Sequence, residues 1–179
     1  MRIRVEIAGD EELIDAVVAE AFGQVDEACL VRELRVDGSF DSRLSLVAEV
    51  GDGVVGHVLF SFAAVVDGDH ERPVLALAPL SVRSAYQGRG VGSALVLAGI
   101  HQARAMGHSM VLVVGEPGYY RRFGFVPAAA FGVLAPFPVP DEAFMMLCLD
   151  DGARTDVRGV MRYARAFDAL TQPDSDQTG

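Results

Sequence analysis

The segment 74–93, VLALAPLSVRSAYQGRGVGS, constrains the fold more than any other part of the chain. Residues 74–82 are apolar without alternation, which predicts a strand with both faces buried. Pro79 inside this strand cannot donate a ladder hydrogen bond, so it indicates a bulge or an unpaired edge. Residues 92–106 are typical of a helix that ends at Gly107. The chain must therefore pass from a buried strand through a short turn into a helix.

Three glycines, Gly88, Gly90 and Gly92, lie at this junction. Helix N-termini carry unpaired N–H groups and a partial positive charge, and glycines let consecutive N–H groups point into one concavity. Arg83 and Arg89 flank the turn and could add charge-assisted contacts. We therefore predict a phosphate site here, with a glycine-rich turn that binds nothing as the alternative.

The composition narrows the kind of phosphate ligand. All 15 basic residues are arginine, and the chain has neither lysine nor asparagine. A phosphate-loop lysine, a Schiff-base lysine and a Cys–His–Asn triad are thereby excluded. A dinucleotide fingerprint needs G-x-G-x-x-G and an acidic residue about 20 positions later. Here Ser93 stands where the last glycine belongs, so a nucleotide-dependent oxidoreductase is only the runner-up.

Hydrophobic periodicity predicts a single α/β domain over residues 1–170 and a disordered tail over 171–179. The predicted strands cover 2–8, the hairpin 44–62, 74–82, 110–115 and 143–149, and the predicted helices cover 11–22, 26–35 and 92–106. Residues 67–73 are predicted as a polar loop, and residues 116–128 as a short helix, a glycine turn and a short strand. Residues 158–167 are ambiguous between strand and helix.

Charge and cysteine content bound the function classes. The formal net charge of −10 disfavours nucleic-acid binding and suits a cationic substrate such as an amine, although plain solubility is the better explanation of the charge alone. No apolar run reaches the ~20 residues of a spanning helix, and no signal peptide is evident, so we expect a cytoplasmic protein without membrane contact. Cys29 and Cys148 are expected as buried thiols, and no ligand spacing predicts a metal site.

The sequence resembles the GNAT superfamily of N-acetyltransferases, and in particular a bacterial branch of predicted acetyltransferases. The family's cofactor signature, [Gln/Arg]-x-x-Gly-x-[Gly/Ala], is met by Gln87, Gly90 and Gly92, and the later stretch YYRRFGF follows in the family's order. The resemblance covers most of the chain and implies a mixed, splayed β-sheet flanked by helices. It also implies acetyl-CoA as the cofactor.

The resemblance gives positions to that cofactor. The strand before the turn is expected to splay from its neighbour, so that the pantetheine arm pairs with the backbone of Leu80, Ser81 and Val82. The diphosphate is expected on the main-chain N–H groups of the turn. Its residues are Gln87, Gly88, Arg89, Gly90, Val91 and Gly92, with Ser93 close by.

Acetyl transfer to an amine requires a proton for the departing thiolate. A thiol has a pKa of about 8.5 and tyrosine one of about 10, so tyrosine is a suitable acid. The family places a tyrosine five residues before the Phe of its Gly-Phe pair, and Tyr120 holds that position before Phe125. Tyr120 is therefore the predicted catalytic acid, with the adjacent Tyr119 as the alternative.

The general base is left open by the sequence. Many family members use a carboxylate on the bulged strand, but residues 74–82 contain none. Glu49, Glu116 and His57 are the available candidates, and a chain of waters is the fourth. The family's asparagine after the next strand is also replaced, by Gly115-Glu116.

The predicted function is acetyl transfer from acetyl-CoA to a primary amine of a small molecule or peptide. The alternative is a non-catalytic acyl-CoA-binding regulatory module with the same fold. The sequence does not determine the oligomeric state, and a homodimer stays open.

Overall fold

A computed structural model describes residues 1–51, 53–150 and 157–168. The helices are α1 (Glu11–Phe22), α2 (Asp26–Val36), α3 (Val91–Ala105) and α4 (Pro117–Tyr120). The strands are β1 (Arg2–Val5), β2 (Ser45–Val50), β3 (Gly53–Asp67), β4 (His70–Val82), β5 (Met110–Val114), β6 (Val126–Pro127), β7 (Val133–Leu134), β8 (Phe144–Cys148) and β9 (Gly159–Arg162). The predicted tail 171–179 lies outside the described residues.

The strands form one mixed sheet in the order β1-β2-β3-β4-β5-β8-β6, with β9 beside the outer half of β3 and β7 beside β9. Only the β4–β5 and β7–β9 pairs are parallel among the described strands. Helices α1 and α2 cover one face, and α3 covers the other. The predicted mixed α/β sheet flanked by helices is therefore confirmed.

The β4 strand bulges at its proline, as the sequence indicates. Leu77 pairs with Phe60 and Leu80 pairs with Val58, so two residues of β4 lie opposite a single residue of β3. Pro79 is one of the two, and there its missing N–H costs no ladder hydrogen bond. The bulge bends β4 in its second half.

The sheet opens between β4 and β5. The two strands pair only at Leu75 with Val111 and at Ala76 with Leu112, and β4 then continues to Val82 without β5 as a partner. The predicted splay is therefore present. It leaves one edge of the second half of β4 without a neighbouring strand.

Helix α3 lies very close to the sheet behind this opening. A Cβ added to Gly99 would stand 2.0 Å from the ring of Phe60 on β3. Because only glycine fits there, the helix can approach the sheet and fix the position of its own N-terminus beside the end of β4.

Two expectations for other segments need correction, and one ambiguous segment is resolved. Residues 67–73 are not a loop, because β3 runs to Asp67 and β4 starts at His70; backbone pairing extends the hairpin while the polar side chains face solvent. The ambiguous segment 158–167 contains β9 and a short 3-10 turn. Cys29 is exposed, because it lies on the outer side of α2, whereas Cys148 is partly buried, and neither cysteine forms a disulfide.

Two further properties concern the described residues alone. They include no helix long and apolar enough to cross a bilayer. Nor do they bring three or more histidine, cysteine, aspartate or glutamate side chains together in a metal-binding group.

Candidate active site

The glycine turn presents main-chain donors at the start of α3. Gly88 and Gly90 have φ angles of 70° and 83°, which side chains other than glycine rarely adopt. Among the described residues, nothing accepts a hydrogen bond from the N–H groups of Gly88, Arg89 and Gly90. The first N–H groups of α3 continue this series, because a helix gives them no internal partner.

Gln87 departs from the expected arrangement. Its N–H donates to the carbonyl of Ser84 at 3.3 Å, and its side-chain amide donates to the carbonyl of Val82 at 3.0 Å. The N–H of Gln87 thus already has a partner, and its contact with the diphosphate stays a prediction. Gln87 ties the turn to the end of β4, and its side chain stays in the wall of the groove.

A groove of about 430 Å³ runs along this turn. We call it the donor groove. Of the ten predicted cofactor residues, eight line it: Leu80, Val82, Gln87, Gly88, Gly90, Val91, Gly92 and Ser93. Ser81 and Arg89 do not, because the Ser81 side chain is buried and the Arg89 guanidinium lies 5.9 Å from the Tyr86 ring. Four lining residues were missed by the sequence: Ala21, Phe22, Tyr86 and Arg122. A fifth, Tyr119, was named only as the alternative acid.

The positive charge at the groove comes from an unexpected arginine. Arg83 is engaged elsewhere, because its guanidinium pairs with Glu20 and donates to the carbonyl of Val54 at 3.0 Å. Arg122 lines the groove and lies 4.0 Å from the centre of the Tyr119 ring. This cation–π contact holds a positive charge at the groove wall. Its position after α4 gave no local sequence signal.

The two adjacent tyrosines have different surroundings. The hydroxyl of Tyr119 is so close to the turn that a Cβ on Gly92 would meet it at 2.7 Å. Tyr120 is nearly buried and packs edge-on against Phe125, with ring centres 5.5 Å apart. Its ring also leaves no space for a side chain on Gly115, directly after β5. Tyr120 therefore lies next to Tyr119, which lines the donor groove, and next to the end of β5, but Tyr120 itself is not part of the groove lining.

Burial keeps Tyr120 protonated. Desolvation, with a smaller effect from Tyr119, raises the pKa of Tyr120 well above its usual value. The hydroxyl makes no hydrogen bond among the described residues, yet it is not one of the fully buried unpartnered atoms. The oxygen thus keeps some access to open space, where it can act as a donor.

The carboxylate candidates for the base are occupied by other contacts. Glu49 forms an ion pair with Arg4 at 2.6 Å. Glu116 accepts a hydrogen bond from the N–H of Gly118 at 3.2 Å and caps the start of α4. Neither lines the donor groove or the larger cavity described below.

His57 lies inside the protein. Its Nε2 is 2.8 Å from the hydroxyl of Ser45, which in turn donates to Glu6, and Glu6 pairs with Arg35 at 3.1 Å. Burial, with a smaller contribution from the charge of Arg35, lowers the pKa of His57 to about 3. His57 is therefore neutral at physiological pH, and it lines neither opening.

A second, larger cavity lies where β4 and β5 separate. It has a volume of about 690 Å³, and we call it the acceptor cavity. Its lining comprises Leu77, Ala78, Leu112, Val114, Pro136, Phe137, Met161, Arg162, Tyr163, Phe167 and Asp168. The sequence did not predict this cavity, because its walls come from segments far apart in the chain.

The donor groove fits an anionic cofactor with a diphosphate. It offers a row of free N–H groups, a helix N-terminus and the guanidinium of Arg122. A Cβ on Gly88 or Gly90 would stand in open space with no protein atom within 4 Å, so these positions leave room for a ligand to reach the backbone.

The splayed sheet, the glycine turn and the start of α3 define the GNAT class of acyltransferases. A model of the acetyltransferase (GNAT) family matches residues 12–125, and the chain belongs to this family. The predicted family resemblance is thereby confirmed.

Individual relatives extend the similarity beyond the family model. An uncharacterised N-acetyltransferase, YhbS of Escherichia coli K12, is 37% identical over 168 residues, which cover 93% of this chain and 98% of the relative. The crystal structure of E. coli YhbS in complex with CoA gives a TM-score of 0.86 at 36% identity, covering 93% of this chain and 91% of that one. The crystal structure of a GNAT family acetyltransferase from Brucella melitensis in complex with acetyl-CoA gives a TM-score of 0.75 at 32% identity. The match covers 93% of this chain and 97% of that one.

Proposed function

We propose that this protein transfers an acetyl group from acetyl-CoA to a primary amine. The observation that carries the proposal is the donor groove, where free N–H groups and the start of α3 meet the open edge of β4. The similarity to proteins crystallised with CoA and with acetyl-CoA supports the same donor here.

Different groups of the protein bind different parts of acetyl-CoA. The N–H groups from Gly88 to Ser93 hold the diphosphate, and Arg122 adds a charge-assisted contact. The open backbone edge from Leu80 to Val82 pairs with the pantetheine arm, as an added strand would. Arg89 is exposed beside the turn and contributes its N–H group.

Tyr120 is the proposed acid. When bound, acetyl-CoA supplies an activated acetyl group and a sulfur that must end as a thiol. The Tyr120 hydroxyl holds a proton at neutral pH because burial raises its pKa. Its place next to Tyr119, which lines the groove, and next to the end of β5 suits proton donation at that point.

No side chain named as a base candidate lines either opening, so we propose that water takes the amine's proton. Glu49, Glu116 and His57 then have structural roles. The acceptor reacts from its neutral form, which the solvent supplies through the acid–base equilibrium of the amine.

A Tyr120→Phe variant tests the proposed acid. General acid catalysis typically contributes about 10²–10⁴-fold, so we expect kcat to fall at least about 100-fold in an assay of thiol release. The Kd for acetyl-CoA, measured by calorimetry, should stay within about twofold, since the ring remains. The Tyr119→Phe variant removes a hydroxyl beside Gly92 and should change cofactor affinity rather than kcat.

Other outcomes would replace the proposal. If Tyr119→Phe loses turnover and Tyr120→Phe does not, Tyr119 is the acid. If the protein binds acetyl-CoA tightly but releases no thiol with any amine, it is an acyl-CoA-binding regulatory module. Tight binding of NAD without binding of acetyl-CoA would indicate an oxidoreductase.

A further inference from the structure

We propose that the acceptor is a small primary amine with an aromatic or branched aliphatic body, which binds in the acceptor cavity. This inference rests on the proposed function and adds the chemical class of the acceptor. It depends on the position, the lining and the charges of the cavity.

The position of the acceptor cavity suits transfer from the donor groove. Leu80 lines the groove and Ala78 lines the cavity, and both belong to β4. Only Pro79 separates these two residues, so the two sites lie on either side of the bulge. The volume of about 690 Å³ falls in the range of roughly 300–1,000 Å³ typical of small-molecule sites.

The lining is apolar. Nine of the 11 lining residues are aliphatic, aromatic or proline, and only Arg162 and Asp168 are charged. Phe137 stacks on Tyr163 with ring centres 5.9 Å apart and an interplanar angle of 20°. Tyr163 in turn contacts Phe167 at 4.7 Å. These three rings form an aromatic wall that favours flat or branched apolar groups.

The two charged residues lie at the edge of the cavity. Arg162 pairs with Glu71 at 2.5 Å, and both side chains are more than half exposed, at 57% and 52%. Asp168 is also exposed. A polyamine or an aminoglycoside would bring several ammonium groups past a lining with one carboxylate, and their desolvation would be uncompensated.

The same environment favours the reactive form of the amine. An apolar site disfavours a charged group, so it lowers the pKa of a bound ammonium. Tyr163 shows the effect on the protein side, since burial raises the pKa of Tyr163 to about 12. Because the apolar cavity favours the neutral amine, turnover does not require Glu49, Glu116 or His57 in its lining.

A panel of amines tests the proposed acceptor class. The full chain is assayed for thiol release with phenethylamine, isoamylamine, spermidine, kanamycin and a lysine-containing peptide at one pH. Burial of a phenyl or branched alkyl group predicts kcat/KM for the first two at least about 50-fold above that for the other three. Equal or higher kcat/KM for spermidine, kanamycin or the peptide overturns this inference and leaves the proposed function standing.

Variants place the acceptor in the cavity. Phe137→Ala should raise the KM for phenethylamine about tenfold, and Phe137→Leu should raise it less, because leucine keeps part of the contact. Phe62→Ala is the matched control, since that ring is 36% exposed and lies outside the cavity lining. Calorimetry with acetyl-CoA should give the same Kd for all three variants, which also reports that each is folded.

The results separate the two proposals. An unchanged KM in both Phe137 variants, with acetyl-CoA binding intact, overturns the acceptor cavity. Binding of acetyl-CoA with no thiol release from either apolar amine overturns the acceptor class. If the unmodified protein does not bind acetyl-CoA at all, the proposed function itself is overturned.

Discussion

The donor groove and the acceptor cavity meet at the bulge of β4, but they are built in different ways. Most of the groove comes from one continuous stretch, residues 80–93, with contributions from α1, from α4 and from Arg122 after it. The cavity takes its walls from β4, β5, residues 136–137, β9 and residues 163–168. One site is therefore local in sequence, and the other exists only after the chain has folded.

The two sites also differ in the groups that they offer to a ligand. The groove uses main-chain N–H groups and glycine conformations, which depend little on side-chain identity. The cavity uses side chains, and each substitution in its lining changes its shape. Membership of the GNAT family consequently identifies the kind of donor, whereas the proposed acceptor class depends on the particular aromatic wall of this chain.

The largest effect on the groove is expected from Gly90→Ala. A side chain at φ 83° is strained by about 1–2 kcal/mol. It also reorients N–H groups, each worth about 1.5–3 kcal/mol to a charged ligand. We expect the Kd for CoA to rise about 10- to 100-fold in calorimetry, with a small loss of stability.

Gly68→Ala is the control for this strain. Gly68 has a φ of 57° in the turn between β3 and β4, and no protein atom lies within 4 Å of its added Cβ, as for Gly90. Gly68→Ala should reduce stability about as much as Gly90→Ala does, but it should leave the Kd for CoA unchanged. Equal changes in Kd for the two variants would mean that the turn does not bind the diphosphate.

The features that could be predicted from the sequence divide in the same way, into those set by local residues and those formed by distant segments. The strand, the bulge at Pro79, the turn and α3 were predictable, because glycine and proline restrict the backbone locally. The short strands β7 and β9 were not, since their pairing partners are distant. Arg122 was missed for the same reason, because only the fold brings it to the groove.

A smaller effect is expected from Arg122→Gln. Its guanidinium lines the groove, whereas the exposed Arg121 beside it does not. Arg122→Gln should weaken CoA binding about three- to tenfold and reduce its salt dependence. Arg121→Gln removes the same net charge and should change the Kd by less than about twofold. Equal effects would assign the attraction to net charge rather than to contact with the groove.

The smallest effect on either site is expected from substitution of His57, a buried residue of β3 that lies next to β4 in the sheet. His57 pairs across the sheet with Ser81, within the stretch of β4 that borders the donor groove. Its folded-state pKa of about 3 lies below the value of about 6.5 expected in the unfolded chain. Between these values the unfolded chain binds a proton that the folded chain does not, so stability falls as the pH falls.

His57→Gln should remove this dependence, because glutamine keeps a donor for Ser45 but does not titrate. The free energy of unfolding is measured in urea between about pH 4.5 and 6. Its slope against pH should be smaller in the variant by up to about 1.4 kcal/mol per pH unit. The partly buried His108, whose pKa is also lowered by burial, retains a smaller slope in both proteins.

The same His57→Gln variant decides whether the donor groove and the acceptor cavity need a base from the protein. If water takes the proton, kcat and the Kd for acetyl-CoA should stay within about threefold of the unmodified protein at pH 7.5, since His57 lines neither site. A fall in kcat of about 100-fold or more, with acetyl-CoA binding intact, would make His57 the base. In that case the buried contacts of Ser45 and Glu6 would be part of the catalytic arrangement rather than a support for the sheet.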